Sequence, residues 1–358
     1  MSLYARLASL PLQIEEVGCA ALEQTTRQGW ARRTTVIRLH GPDGTEGVGE
    51  DVTYIEDEQR GLMATARALP LTGHHTLDGF SRALDAIPLF VQTPVVPAAQ
   101  CYRRWALESA ALDLALRQAG VSLAQALDRT PAPVRFVISM GLGDPPSLDA
   151  VRALRARDPT LRFKIDLGDG WTDELLGDLA RLGCVEIVDF KGQYRGAFRG
   201  PLADPDLYRR VARALPDAWI EDPDLDKRLR PALAGCESRI TWDAPIQSVA
   251  DILQLEFPPG ALNMKPSRFG LLSEALRAYE FCAGRGIAMY GGGQFELGPG
   301  RAQLQCLASI FHPDAANDVA PVVFHGATMP EELPRSPLAA DFGAPGFGAP
   351  GFGVTDES

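Results

Sequence analysis

The chain has 358 residues, 46% hydrophobic and 23% charged, enough material for a large core and two domains. A net charge of −11 and an isoelectric point near 5.0 leave no basic stripe for phosphates, which argues against a nucleic-acid partner. No apolar run approaches the ~18 residues of a membrane span, and "MSLYARLASLPLQIEE" lacks a signal-peptide layout, so a cytoplasmic protein without a membrane partner is expected.

Residues 1–130 read as an α+β unit. In "RRTTVIRLHGPDGTEGVGEDVTY" the alternation of Val36, Arg38 and His40 with Ile37 and Leu39, followed by "GPDG", predicts a hairpin. Helices are expected at about 57–69 and 76–86. His74–His75 after "PLTG" reads as a loop pair rather than a ligand pair. In "YRRWALESAALDLALRQAG" the residues Trp105, Leu107, Ala111, Leu112, Leu114 and Leu116 suit a buried helix that Gly120 ends. The six cysteines (19, 101, 184, 236, 282 and 306) are scattered without a CxxC pair and read as reduced small hydrophobes. The histidines show no zinc-ligand spacing.

From about 134 short apolar runs alternate with amphipathic helical stretches. The runs are "VRFVISMG", "LRFKIDLG", "VEIVDFKG", "DAWIEDP", "SRITWDAP", "GALNMKPS", "GIAMYGGG" and, weakly, "DVAPVVFH". Eight such runs predict parallel βαβ units closing into a (β/α)8 TIM-type barrel over 131–335. The remaining 336–358, with its repeated GAPGF, reads as an irregular closing segment.

Barrel active sites lie at the C-terminal strand ends. There the runs carry Lys164 and Asp166, then Asp189 and Lys191, Glu221, Asp243, Lys265 and Glu296. One such residue is ordinarily a solvated terminus or a cap, as expected of Asp222 and Asp224; six strands in succession are not explained that way. Only four of 35 basic residues are lysine, and Lys164, Lys191 and Lys265 of these fall at the predicted mouth, with Lys227 the exception. A desolvated lysine can lose its proton and act as a base, which arginine cannot. Asp189, Glu221 and Asp243, from adjacent strands, would repel unless a cation sat among them, and all-oxygen ligands favour Mg²⁺ before Mn²⁺.

The whole set resembles the enolase superfamily, in its muconate-lactonizing enzyme and mandelate racemase branches. The resemblance runs through "GVGE", "WALESAALDLAL", "KID", "VDF", "WIEDP", "TWDAP", "NMKPSRFG" and "GGGQFELGPGR". It implies an N-terminal α+β domain capping the barrel mouth and a C-terminal segment returning to that cap. It implies Mg²⁺ on Asp189, Glu221 and Asp243, and Lys164, Asp166 and Lys265 as acid/base residues. Lys191, Asn263 and Glu296 would face a small carboxylate substrate, and a homo-oligomer is the expected assembly. The implied reaction is abstraction of the proton alpha to the carboxylate through a metal-stabilised enolate, as in cycloisomerases, epimerases or racemases, and acid dehydratases. The chain departs from the family twice. The second strand ends Lys-x-Asp where the family has Lys-x-Lys, and Lys191 replaces the usual asparagine two residues after the third-strand ligand. An exchange of acid and base between neighbours predicts that Lys191 pairs with Asp166. Three schemes stay open: Asp166 as the base opposite Lys265, Lys164 or Lys191 as that base, or Lys265 alone. Arg27, Trp30, Arg32 and Arg33 either read a second polar group of the substrate or lie on the surface. Rival readings are a metal-dependent barrel hydrolase and a catalytically altered, non-enzymatic barrel.

Overall fold

The computed structural model of the chain describes residues 1–194, 200, 203–339 and 341–348. Its N-terminal part holds β1 (Pro11–Ile14), β2 (Glu16–Thr25), β3 (Ala31–His40), β4 (Glu46–Asp51) and β5 (Gly73–Thr76). The predicted hairpin is the antiparallel β3–β4 pair, joined through "GPDG". β2 adds a third strand, pairing along all ten residues of β3. Its small and polar side chains carry little strand signal of their own, so partner pairing decides its conformation. His74 and His75 are not in a loop: they lie in β5, which pairs antiparallel with β1. Helices at Glu56–Thr65 and Leu77–Leu84 match the expected stretches.

The helix Ala99–Gln118 is the spine of this domain and is buried along most of its length. β4 lies directly on it. A Cβ at Gly49 would come within 2.0 Å of Ala106 O, so the "GVGE" glycines permit a backbone-to-backbone contact that a side chain would break. Glu50 of the same motif then latches cap to barrel. Its carboxylate accepts from Leu297 N (2.6 Å), Gly298 N (2.9 Å) and Gly300 N (2.9 Å), at the start of the helix Pro299–Phe311.

The barrel strands are β6 (Ile138–Gly141), β7 (Phe163–Asp166), β8 (Val185–Asp189), β9 (Trp219–Glu221), β10 (Ile240–Trp242), β11 (Ala261–Met264) and β12 (Ala288–Gly291). They pair in parallel and in chain order. The eighth run closes the ring without becoming a ladder strand. Val137 N donates to Asn317 O (2.8 Å) on one side, and Asp318 N to Gly291 O (2.7 Å) on the other. Pro321 has no N–H to extend the pairing, and the run turns into a short 3₁₀ helix at Val322–Phe324. Inside the ring, Val137, Ile187, Ala261, Tyr290 and Ala316 form a small apolar cluster. Ile187 and Ala261 precede Asp189 and Asn263 by two residues on the same strand face, so this cluster is the floor beneath the charged mouth.

The closing segment packs onto the cap's spine. Phe347 N donates to Asp113 Oδ1 (2.7 Å), and the Phe347 ring meets Trp105 edge to face with a centroid separation of 6.2 Å. Residues 349–358 of the GAPGF repeat lie outside the described residues. No helix among the described residues is long and apolar enough to cross a membrane.

Candidate active site

Parallel register lines up the mouth. Asp166, Asp189 and Glu221 are Cα partners across β7, β8 and β9, one carboxylate per strand at one level. Asp243 and Lys265 each follow directly after β10 and β11. Lysines are drawn in among the acids. Lys164 Nζ pairs with Glu221 and lies 3.3 Å from Asp189 and 3.4 Å from Asp318. Lys191 Nζ lies 2.5 Å from Asp189 Oδ2 and 3.1 Å from Asp166 Oδ1, so the exchanged acid and base of neighbouring strands do meet. Lys265 Nζ is 2.7 Å from Asp243 Oδ2, which Arg268 and the Tyr194 hydroxyl also approach, at 3.3 and 3.1 Å. Glu221 Oε2 accepts from Tyr290 (2.5 Å) and Asn263 (3.3 Å).

These contacts set the protonation states. Burial favours neutral Lys164 and Lys191, but the surrounding carboxylates outweigh it and hold both well above the ordinary lysine range. Neither is the depressed-pKa base expected from desolvation alone. Burial would also raise Asp189 and Asp243. For Asp189, the Lys191 and Lys164 charges reverse this and hold it far below the carboxylate range. For Asp243, Arg268 and Lys265 hold it at about 2. Glu221 is pushed up to about 8 by burial, which Lys164 opposes and the Asp189 and Asp243 charges reinforce. Asp222 goes to about 7 through burial beside Asp243 and Asp189.

Asp222 is a capping residue, as expected. It accepts from Asp243 N and Ala244 N, both at 2.8 Å, and ties the end of β10 to that of β9. It adopts a left-handed φ of 49°. Lys191 (54°) and Phe295 (58°) share this region, so three of the five positive-φ non-glycine residues among the described residues border the mouth. Strain of this kind persists where the surroundings over-determine it, and clusters at working sites.

The donor chemistry fits a hard dication. Seven acids crowd the mouth (Asp166, Asp189, Glu221, Asp222, Asp243, Glu296 and Asp318) against five cations (Lys164, Lys191, Lys265, Arg268 and Arg301), and burial among like charges is what pushes Glu221 and Asp222 up, a shift that a cation placed among them would reverse. Asp243 Oδ1 is buried without a hydrogen bond. No three acidic, histidine or cysteine side chains among the described residues converge as a metal cage, because ammonium groups stand between the carboxylates.

A cavity of about 1140 Å³ opens between cap and barrel. Lys164, Asp166, Lys191, Lys265 and Arg268 form its polar end, and Trp30, Tyr54, Tyr102, Tyr194 and Phe295 much of its apolar wall. Asp189, Glu221 and Asp243 lie just behind that surface, each wholly buried. Asn263 and Glu296 do not line it. Asn263 sits behind Glu221, and Glu296 turns to Arg301 (3.3 Å) and Gln294 N (2.7 Å). The glycines of "GGGQFE" make this turn possible, since a Cβ at Gly292 would lie 2.2 Å from Asn263 Oδ1. Arg32 is not on the surface. It is buried, and it braces the loops by donating to carbonyls of Val52 (2.7 Å), Thr53 (3.3 Å), Gln294 (2.9 Å) and Phe295 (3.2 Å). Arg27 likewise donates to Phe324 O (2.6 Å), and Arg33 pairs with Glu23 at 2.5 Å. Sequence reasoning missed Arg268, Arg301, Tyr290 and Asp318. Arg268 had a signal: it follows Lys265 by one helical turn within "NMKPSRFG", so both reach Asp243.

A seven-stranded parallel ring closed by an eighth segment, an antiparallel cap, and lysines facing carboxylates at the strand ends make up the fold of the enolase superfamily. More narrowly, residues 130–326 match the family described as "Domain of unknown function (DUF8230) C-terminal domain" and residues 5–126 its N-terminal domain, and the chain belongs to that family. An o-succinylbenzoate synthase of Geobacillus kaustophilus is 27% identical over 279 residues, 73% of this chain and 70% of the relative. An N-succinylamino acid racemase of Amycolatopsis sp is 29% identical over 297 residues, 78% and 76% of the two chains. In fold, the chain resembles muconate cycloisomerase from Pseudomonas fluorescens, with a TM-score of 0.67 at 18% identity over 96% of each chain.

Proposed function

We propose that the chain catalyses acid/base chemistry at the carbon alpha to a carboxylate, with Lys265 as the residue that moves the proton. The observation that carries this is the placing of Lys265. Its Nζ is at the cavity wall, fixed by Asp243, while Asp166 and Lys191 stand on another strand pair across the same cavity. Lys164 and Arg268 stay charged and supply fixed positive potential for an anionic substrate. Asp189, Glu221 and Asp243 are the residues that would hold Mg²⁺, and Asp166 and Lys191 serve the face opposite Lys265. Bound there, the ion would supply positive charge to the substrate carboxylate and to the charge that develops when the α-proton leaves.

The aromatic wall bears on substrate class. Trp30 packs edge to face on Phe295 at 5.7 Å, and Phe295 on His325 at 5.3 Å. Such a wall matches carboxylic acids bearing an aromatic or acyl-amino group better than polyhydroxylated sugar acids. The relatives named for o-succinylbenzoate and N-succinylamino acids agree with this. The test is proton NMR in D₂O with Mg²⁺ and a panel of N-acylamino acids, aromatic succinyl acids, dipeptides and sugar acids. Mg²⁺-dependent exchange or turnover of at least one aromatic or acyl-amino acid is expected. Absence of exchange across the panel, with folded protein, overturns the reading.

A further inference from the structure

We propose that Lys191 is a tethered rival of the divalent cation, and that Asp166 is the acceptor that receives its ammonium when the cation enters. The proposal rests on the reading of Asp189 as a cation ligand.

Lys191 chelates Asp189 from both ends. Its backbone N–H donates to Asp189 Oδ1 at 3.0 Å, and its Nζ to Oδ2 at 2.5 Å. One residue therefore engages both oxygens of the carboxylate that a cation would need. With its backbone N–H on Oδ1, a left-handed φ of 54° sets the direction from which the Lys191 side chain returns to Oδ2 of the same carboxylate. The ammonium also has somewhere to go, since Asp166 Oδ1 is 3.1 Å away across the β7–β8 register. Asp189 is wholly buried, whereas Asp166 is about one-third exposed (35%) at the cavity wall. Moving the ammonium from the first to the second exchanges a wholly buried carboxylate for a partly exposed one, whose Oδ1 is buried without a hydrogen bond, and leaves neither Lys191 nor Asp166 unpaired. Lys164 is placed differently. It lies farther from Asp189, at 3.3 Å, and is held by Glu221 and Asp318 together, with no exposed acid in reach among its ion-pair partners.

Two positive charges cannot share Asp189 without mutual repulsion, so whatever Lys191 gains there is subtracted from cation affinity. Asp166 offsets that loss. The two departures of this chain from the family pattern thus form one device, a built-in cation with a built-in parking place. Removing Lys191's charge must tighten cation binding, and removing Asp166's charge must weaken it, but only while Lys191 is present.

Isothermal titration calorimetry of the full chain, stripped of metal and titrated with MgCl₂ and then MnCl₂, reads this directly. Lys191→Met and Lys191→Gln are each expected to lower the dissociation constant at least about tenfold. Asp166→Asn is expected to raise it several-fold alone and to change it little when combined with K191M, the non-additivity of a coupled pair. Circular dichroism on every variant confirms folding, and two uncharged replacements at 191 guard against a local packing defect in one. The proposal is overturned if both Lys191 variants bind as the wild type does or more weakly, or if D166N has the same effect in both backgrounds. Uptake of neither ion by any of the proteins overturns the cation reading of Asp189 itself, and the rivalry with it. Tight wild-type binding with unchanged variants overturns the rivalry alone.

Discussion

The cap and the mouth both bury charge, and they do it in opposite ways. In the cap, Arg103 and Asp51 are almost fully buried and form a closed pair. Arg103 Nε donates to Asp51 Oδ2 at 2.8 Å, and its two other nitrogens donate to Leu89 O and Glu58 O at 2.8 Å each. Asp51 Oδ1 accepts from Thr53 N (3.0 Å) and Oγ1 (2.6 Å). One cation meets one anion and the remaining hydrogen-bonding positions are taken up, the condition under which a buried pair is tolerated. At the mouth, acids outnumber cations, single lysines are shared among several carboxylates, and Asp243 Oδ1 has no hydrogen bond. A closed pair holds one structure; an open network leaves charge to be completed by whatever binds. The difference teaches that burial of charge does not by itself mark a site. Incomplete compensation does.

Three measurements strain this contrast, in order of expected size. Lys265→Ala is expected to slow Mg²⁺-dependent α-proton exchange by about 10²–10⁴-fold, the usual range for loss of a general acid or base. Asp243 keeps Arg268 as a partner in that variant, so the thermal midpoint should move less than with Arg103→Ala. Arg103→Ala strands the Asp51 charge in the cap interior and should cost about 3–5 kcal/mol in urea unfolding. It should leave the Mg²⁺ dissociation constant unchanged, and a shift in that constant would show that the two charge systems are coupled. Next, Mg²⁺ at a hundred times its dissociation constant should stabilise the wild type by about 2.7 kcal/mol, with EDTA reversing the gain. Asp243→Asn should lose this response, while Asp78→Asn, a surface change in the cap, should keep it.

The same contrast explains how far the sequence could be read. The barrel and its charged mouth were legible because the strands are short apolar runs, and β7 to β11 each end in or run directly into an acid or a lysine, a pattern local in sequence. The Lys164, Asp189, Glu221, Asp243 and Lys265 assembly follows once parallel register is assumed. The hairpin of β3 and β4 announced itself through "GPDG", but β2 and β5 did not, because their strand conformation comes from partners distant in sequence. Arg32 reads in the sequence as either a surface residue or a reader of a second substrate group, and only tertiary contact with carbonyls as far away as Phe295 reveals a buried brace. Glu296 fell at a strand end in the pattern, yet Arg301, one turn into the next helix, turns it from the cavity. The pairing of Lys191 with Asp166 was readable from the exchanged charges alone. The double hold of Lys191 on Asp189 was not, because it depends on a left-handed backbone that lysine rarely adopts.

A third way of burying a titratable group appears where the eighth segment closes the barrel. His312 is buried and stacks near Tyr279, with a centroid distance of 5.8 Å. Its Nδ1 is 2.7 Å from Asn317 Oδ1, which also accepts from Gly291 N at 2.7 Å, so the ring nitrogen is the donor. Nε2 is buried without a hydrogen bond, and burial pushes the ring down from 6.5 to about 4. Here no charge is buried at all, and stability depends on keeping it so. Between pH 6.5 and 4 the unfolded chain takes up a proton at this histidine that the folded chain refuses. Its contribution is therefore complete above pH 6.5 and is lost as pH falls towards 4. Carboxylates with raised values, such as Asp113 and Glu50, work in the opposite direction, so the wild-type profile alone does not isolate the effect. The difference between wild type and His312→Phe does. Phenylalanine keeps the ring stack and cannot titrate, so the wild type's unfolding free energy should fall relative to the variant's by about 2 kcal/mol from pH 7 to pH 5. Parallel profiles over that range would place a proton on the buried ring and contradict its neutral state.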